Sequence, residues 1–259
     1  MTFAAFGDRI GLSPAKEDRF TLSGRFAETL AADGDNLVTR ARDRLRAALA
    51  AAGRAAPPVH IHLEKNLPVA SGIGGGSADA AATLRGLLAL WRADLPGDAL
   101  DALAIGLGAD VPMCLAGRPL IARGIGEDIT PIALPALAMV LANPLVGVST
   151  PAVFKALASR HNPPLALDAA PADWLEAIGR LRNDLEPPAR GLCPDIARIA
   201  KSLAATDARV VRMSGSGATC FALYSSDAAA EAAAAMLAER HPHWFFAATR
   251  TLGASDGTH

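Results

Sequence analysis

The sequence predicts an α+β fold in which helices and hairpins pack on an antiparallel sheet. Residues 59–63 alternate apolar and polar side chains, which is the period of a half-buried strand. A glycine-rich segment joins them to a helix whose alanine and leucine side chains recur at helical spacing. Residues 208–213 and 218–224 are two short strands around a Ser-Gly-Ser-Gly turn, which predicts a hairpin.

Bulk composition limits the class of protein. The chain has 259 residues, half of them hydrophobic, so we expect one or two domains. Pro131 and Pro135 mark a shift in composition, which predicts domains at 1–135 and 136–259. The formal charge of -1 argues against nucleic-acid binding. The sequence carries no apolar run of membrane-span length and no signal pattern, and its three separated cysteines read as reduced and buried, so we expect a cytoplasmic protein.

The glycine-rich segment from Pro68 to Ala81, PVASGIGGGSADAA, lies between a predicted strand and a predicted helix start. Glycine permits close backbone approach, and a helix start offers unpaired N–H groups, so together they suit a phosphate. The segment lacks the lysine of a P-loop, and Ser77 stands where a dinucleotide fingerprint needs its third glycine. A flexible loop before a capped helix remains the alternative interpretation.

Two further sites carry possible chemistry. Asp110, in GADVP, is either a turn residue or a carboxylate at the edge of a core that accepts a hydroxyl proton. The turn at 214–217 is either a plain hairpin or a source of N–H groups for a phosphate. His60 and His62 share one strand face, but no third ligand is near in sequence, so we expect no metal site.

The glycine-rich segment resembles the ATP-binding signature of the GHMP kinases, and GADVP and SGSGA follow it in the order of that family's other motifs. The resemblance implies a two-domain fold, with a glycine-rich-loop N-terminal domain and a ferredoxin-like α/β sandwich C-terminal domain. It implies ATP as phosphoryl donor, with Mg²⁺. GLGADVPMCLAG, RGIGE, VGVSTPAVF and NDLE resemble the members that phosphorylate the 2-hydroxyl of a cytidine diphosphate-linked sugar alcohol in the non-mevalonate isoprenoid route.

The resemblance also assigns roles to individual positions. Asp110 matches the catalytic aspartate. The ATP-binding positions are Pro68, Gly72, Ile73, Gly74, Gly75, Gly76, Ser77, Lys65, Val69, Asp79, Asn36, Gly215, Ser216 and Gly217. The positions near the cytidine and the sugar are Ile125, Thr150, Pro151 and Phe154.

The sequence departs from the family at its start. Family members begin with a Lys-x-Asn strand and an Asp-Gly-Tyr-His stretch, and neither is present; the one tyrosine is Tyr224. We therefore expect weak ATP binding, poor catalysis and an exposed sheet edge. Two other functions stay open: another GHMP kinase, of the homoserine or mevalonate type, and a nucleotide-binding module without catalysis. We expect no nucleic-acid or membrane partner, and a monomer or weak homodimer.

Overall fold

The computed structural model describes residues 1–30, 36–69, 71–124, 126, 128–165, 167 and 171–253. The chain forms two compact units. The N-terminal unit comprises Gly7–Val69 and Gly74–Thr130, and the C-terminal unit comprises Met1–Phe6, Ala70–Ile73 and Pro131–His259. The division into domains at 135/136 stays a prediction, and no sequence pattern indicated that two early segments join the later half.

The first sheet of the N-terminal unit contains β1 (Arg9–Pro14), β2 (Arg19–Ser23) and β3 (Val59–Glu64) in the order β1-β3-β2. β1 runs antiparallel to β3, whereas β2 runs parallel to it. The expectation of a single antiparallel sheet was therefore wrong. The crossover helix α1 (Leu37–Ala51) between β2 and β3 is the physical reason, because strands joined through a helix can run in the same direction.

Helices cover one face of this sheet, since β3 buries alternate residues and exposes the others in part. α2 (Gly75–Trp91) packs against α1 and β1, with Leu84 and Leu87 fully buried. α3 (Gly97–Leu107) and α4 (Val111–Ala116) follow, and α4 also packs on α2. A two-stranded sheet of β4 (Leu120–Arg123) and β5 (Asp128–Pro131) comes next in the chain.

The C-terminal unit is built on a four-stranded antiparallel sheet in the order β7-β8-β6-β9. β6 pairs with β8 on one edge and with β9 on the other, and it is buried along its whole length. The predicted hairpin is confirmed as β7 and β8. The elements of this unit are β6 (Ala138–Asn143), α5 (Thr150–Lys155), α6 (Trp174–Gly179), α7 (Glu186–Leu192), α8 (Asp195–Ala204), β7 (Val210–Met213), β8 (Cys220–Leu223), α9 (Asp227–Arg240) and β9 (Phe245–Arg250).

One apolar core holds this second unit together. Ile196, Ile199 and Leu203 recur on one face of α8 and pack, fully buried, in a cluster with residues of the sheet and of α9. All three cysteines of the chain are buried and free, as predicted. Within the described part of the chain, no helix combines the length and the apolar character needed to cross a bilayer.

Candidate active site

The first turn of α2 offers backbone amides to an anion. Gly74 precedes the helix in the left-handed region, at φ 72°, which glycine adopts without strain. Among the described residues, no side chain caps this helix start, and its first turn carries no acidic residue. The N–H groups of Gly75, Gly76 and Ser77 thus lie at the positive end of a 17-residue helix, which favours a phosphate.

A buried ionic cluster lies directly beneath this turn. The Lys65 ammonium pairs with the carboxylate of Asp8 and, at 3.1 Å, with that of Asp79. The side chains are 5%, 1% and 7% exposed, respectively, so water screens the charges weakly. A Cβ built on Gly75 would lie 3.5 Å from Lys65 Nζ and 3.6 Å from Asp8 Oδ2, so the cluster supports the beginning of α2.

Asp8 is a residue of this site that the sequence interpretation missed. Its Oδ1 accepts hydrogen bonds from the backbone N–H groups of Asn66 (2.6 Å) and Leu67 (2.8 Å), at the entry to the glycine-rich segment. Asp8 therefore joins the edge of β1 to the chain that leaves β3. The one available signal was the Gly7–Asp8 interruption of an apolar stretch, which by itself does not distinguish a turn from a buried anchor.

Burial also changes the ionisation of this cluster. Desolvation raises the pKa of Asp79 to about 7; the Lys65 ammonium opposes this rise, and the Asp8 carboxylate adds to it. The resemblance placed Lys65 and Asp79 among the positions that bind ATP. In the structure their charged atoms contact each other inside the protein, so their contact with a nucleotide stays a prediction.

Asp110 stands at the N-terminal end of α4, in the same unit as α2. Its side chain is exposed and makes no capping hydrogen bond to the helix. Burial raises the pKa of the Cys114 thiol to about 12, and the nearby carboxylates of Asp110 and Asp79 add to the rise. α4 packs against α2 within this unit. Arg85 of α2 reinforces this packing by donating to the Cys114 carbonyl at 3.1 Å.

In the C-terminal unit, the early part of the glycine-rich segment lies against the Ser-Gly-Ser-Gly turn. A Cβ on Gly72 would overlap the carbonyl oxygen of Gly217, and one on Gly215 would lie 2.7 Å from the carbonyl oxygen of Gly72. The backbone N–H of Thr219 donates to the Ser71 carbonyl at 3.1 Å. These glycines have positive φ angles of 71°, 87° and 51°, in the order in which they are named. The structure thus brings the first and third motifs into backbone contact.

Side chains extend this contact within the same unit. The Asn143 amide donates to Thr219 Oγ1 at 2.8 Å, and the hydroxyls of Thr150 and Ser216 lie 2.7 Å apart. Thr150, at the start of α5, was predicted near the sugar, and Ser216 near ATP. Pro151 and Phe154, also predicted on the acceptor side, are exposed, and Phe154 presents 46% of its surface.

The remaining predicted site residues differ in burial and in structural role. Asn36 caps α1, because its Oδ1 accepts from the N–H groups of Val38 and Thr39. Pro68 is buried, whereas Val69 is 39% exposed. Ile73 is half-buried beside Gly72. Ile125 lies outside the described residues.

The two histidines of β3 form hydrogen bonds with hydroxyl groups of the neighbouring strand β2. Thr21 Oγ1 lies 2.8 Å from His60 Nε2 and 2.8 Å from His62 Nδ1, and Ser23 Oγ lies 2.9 Å from His62 Nε2. Across the described ranges, no three His, Cys, Asp or Glu side chains gather in a way that could hold a metal ion.

Known proteins resemble the chain over nearly its whole length. The family described as GHMP kinases N terminal domain matches residues 36–118, and GHMP kinases C terminal matches residues 166–243. A 4-diphosphocytidyl-2-C-methyl-D-erythritol kinase of Rhizobium etli is 63% identical over 254 residues, covering 97% of this chain and 85% of that protein. The kinase of the same name from Rhizobium meliloti is 59% identical, covering 98% of this chain and 87% of that protein.

Solved structures show the same likeness. The crystal structure of a 4-(cytidine 5'-diphospho)-2C-methyl-D-erythritol kinase matches with a TM-score of 0.76 at 35% identity, over 95% of this chain and 86% of that one. A homoserine kinase from Cytophaga hutchinsonii matches with a TM-score of 0.69 at 23% identity, over 96% of this chain and 86% of that one. At that identity, the second likeness concerns the fold alone.

Proposed function

The chain belongs to the GHMP kinases, and from this membership we propose that it phosphorylates the 2-hydroxyl of 4-diphosphocytidyl-2-C-methyl-D-erythritol with ATP. The observation that carries the proposal is the uncapped, glycine-led start of α2 in the unit that also holds the exposed Asp110. The choice of acceptor rests on the relatives that carry this kinase's name at 59–63% identity. The reaction is a step of the non-mevalonate isoprenoid route.

Phosphoryl transfer depends on positioning and charge neutralisation more than on covalent help from the protein. In the proposed reaction, the acceptor oxygen bonds to the γ-phosphorus of ATP while the bond from that phosphorus to the β–γ bridging oxygen breaks. The amides of Gly75, Gly76 and Ser77 would hold the phosphates and stabilise their charge. The Lys65 cluster would keep the helix start in place beneath them.

In this proposal, Asp110 is the general base. As the acceptor oxygen bonds to phosphorus, its proton moves to the Asp110 carboxylate. An exposed carboxylate that is not used in capping its own helix is free to turn toward a bound hydroxyl. On the acceptor side, exposed Phe154 would lie against the cytosine ring, and Thr150 and Pro151 would border the sugar.

Mg²⁺ fits this site through the donors that it prefers. This ion binds mainly to phosphates and water, with one or two oxygen atoms from the protein. The Ser77 hydroxyl, in the first turn of α2, is an oxygen donor of this kind, and we propose it as the protein ligand. When bound, the ion would neutralise charge on the phosphates.

The test measures phosphate transfer from ATP to 4-diphosphocytidyl-2-C-methyl-D-erythritol, homoserine and mevalonate in parallel. We expect transfer to the first alcohol alone. Asp110→Asn should lower kcat by roughly 100-fold or more, since a general base contributes 10²–10⁴-fold, with ATP affinity nearly unchanged. Asp101→Asn, an exposed carboxylate in α3, is the matched control and should retain activity.

Two outcomes would contradict the proposal. Transfer to homoserine or mevalonate would identify another GHMP kinase. ATP binding without transfer to any alcohol would favour the nucleotide-binding module. We further propose that the protein acts in the cytoplasm as a monomer or weak homodimer. The weak ATP binding expected from the sequence stays a prediction, which full activity of this chain would contradict.

A further inference from the structure

We propose that Asn183, the first residue of the Asn-Asp-Leu-Glu motif, is a positioning residue that holds the turn at 214–217 in its phosphate-binding shape. The inference rests on the proposed function and on the family resemblance, which assigns Gly215, Ser216 and Gly217 to the binding of ATP. Neither the sequence interpretation nor the proposed mechanism gives Asn183 a role.

The hydrogen bonds of Asn183 carry the argument. Its Nδ2 donates to two carbonyl oxygens of the turn region, that of Met213 at 3.0 Å and that of Gly215 at 2.8 Å. Its Oδ1 accepts from the N–H of Leu185 at 3.0 Å, and its backbone carbonyl accepts from the N–H of Glu186 at 3.0 Å. One half-buried side chain thus joins the start of α7 to the carbonyls on both sides of Ser214.

The turn benefits from such a support because its two glycines restrict the backbone little. Gly215 and Gly217 adopt positive φ angles of 51° and 87°. Glycine reaches these angles without strain but also reaches many others, so local preference alone does not select this shape. The turn's own hydrogen bonds run from Ser214 N to the Thr219 carbonyl and from Gly217 N to the Ser214 carbonyl, and the Met213 and Gly215 carbonyls accept from Asn183.

The turn at 214–217 contacts the glycine-rich segment through Gly215 and the start of α5 through Ser216. Gly215 lies against the Gly72 carbonyl, so a shift of the turn would displace the first glycine-rich motif. Ser216 exchanges a hydrogen bond with Thr150, on the proposed acceptor side. Within the described part of the chain, no hydrogen bond joins Asn183 to Gly72 or Thr150, so it would act through the turn.

The chemistry of the side chain makes the role specific. An amide supplies two N–H donors and an acceptor, and this site uses both functions. Asn183→Asp keeps the shape and the acceptor for Leu185 N. It replaces the donating group by an oxygen that faces two carbonyl oxygens, which repel it. This substitution therefore separates the support of the turn from the start of α7.

The experiment compares wild type, Asn183→Asp and the uncharged Asn183→Ala. Asn162→Asp is the matched control, because the Asn162 amide is exposed and donates to the nearby Ser159 carbonyl. Hydrogen exchange without nucleotide should be faster at the amides of 214–217 in both Asn183 variants and unchanged in the control. KM for ATP should rise about tenfold in both, since each variant leaves two turn carbonyls without their donor, while kcat changes less than threefold.

The outcomes separate this inference from the proposed function. Unchanged exchange at 214–217, or an ATP KM within twofold of wild type, would overturn the role of Asn183 even if the enzyme is active. A wild type that binds no nucleotide would count against the proposed function, and the exchange measurement would still decide whether Asn183 holds the turn. If Asn183→Asp fails to fold, Asn183→Ala decides by the same criteria.

Discussion

At the scale of single residues, the buried carboxyl group of Asp79 has an unusual ionisation. Two carboxylates and one ammonium share the space below α2, so one carboxylate lacks a full counter-charge. Burial is the largest cause of the raised Asp79 pKa, near 7. A group whose pKa is higher in the folded protein than in the unfolded chain stabilises the fold at low pH and loses that contribution as pH rises.

We therefore expect Asp79→Asn to change the pH dependence of stability. In wild type, the contribution of Asp79 is complete below its unfolded pKa of 3.8 and is lost as pH rises toward about 7. The variant has no titrating group there, so its stability relative to wild type should increase across this window. Urea unfolding at intervals between pH 4 and pH 8 measures the difference, and parallel profiles would contradict it.

Asp18 supplies a control, because its pKa is shifted in the opposite direction to that of Asp79. Its hydrogen bond with Arg46 is the main reason that its pKa is lowered to about 2. The stabilising contribution of Asp18 is therefore present above pH 3.8 and lost as pH falls toward about 2. Asp18→Asn should destabilise the protein at neutral pH and approach wild type in acid, so the two variants should diverge in opposite directions.

At the scale of elements, the glycine-rich segment packs against the hairpin turn through a close backbone contact between Gly72 and Gly217. A side chain at Gly72 would meet backbone, which cannot move aside as a flexible side chain can, and its φ of 71° is unfavourable for other residues. Gly72→Ala should therefore lower the free energy of unfolding by on the order of 2–3 kcal/mol. It should also weaken ATP binding, as measured by calorimetry on the folded variant.

Gly97→Ala is the matched control for this substitution. Gly97 begins α3, has no atom within 4 Å of a built Cβ and shows no positive φ. Alanine there should leave stability equal or slightly higher, because alanine has the better helix propensity. Equal unfolding free energies for Gly72→Ala and Gly97→Ala would refute the close approach.

At the scale of the whole molecule, the three buried cysteines are distributed over both units, so their reactivity can be used to follow the unfolding of each unit. Cys114 belongs to the N-terminal unit, and Cys193 and Cys220 belong to the C-terminal unit. Burial raises the pKa of both Cys114 and Cys220 to about 12, so little reactive thiolate is present at neutral pH. We expect no labelling by iodoacetamide in the native protein and full labelling in urea. Mass spectrometry of peptides would show whether Cys114 and Cys220 become reactive together, and rapid native labelling would contradict the burial.

Local patterns predicted much of this architecture. The alternation at 59–63, the helix after the glycine-rich segment and the hairpin at 208–224 all appear as expected, because side-chain periodicity follows backbone geometry directly. Strand direction was harder to predict. β2 runs parallel to β3 because a helix intervenes, and periodicity within a strand carries no information about its neighbour.

The amino-acid order alone predicted several of the strands and helices, a helix start suited to a phosphate, and the kinase family that the motifs resemble. Only the tertiary structure decided that Asp8 is the anchor of Lys65, that Ser71 and Gly72 belong with the C-terminal sheet, and that Asn183 supports the turn at 214–217. The physical reason is that periodicity, capping and turn preference act over a few neighbouring residues. Asn183 and Gly215 lie 32 positions apart in the chain, Asp8 and Lys65 lie 57 apart, and Ser71 and Thr219 are further apart still.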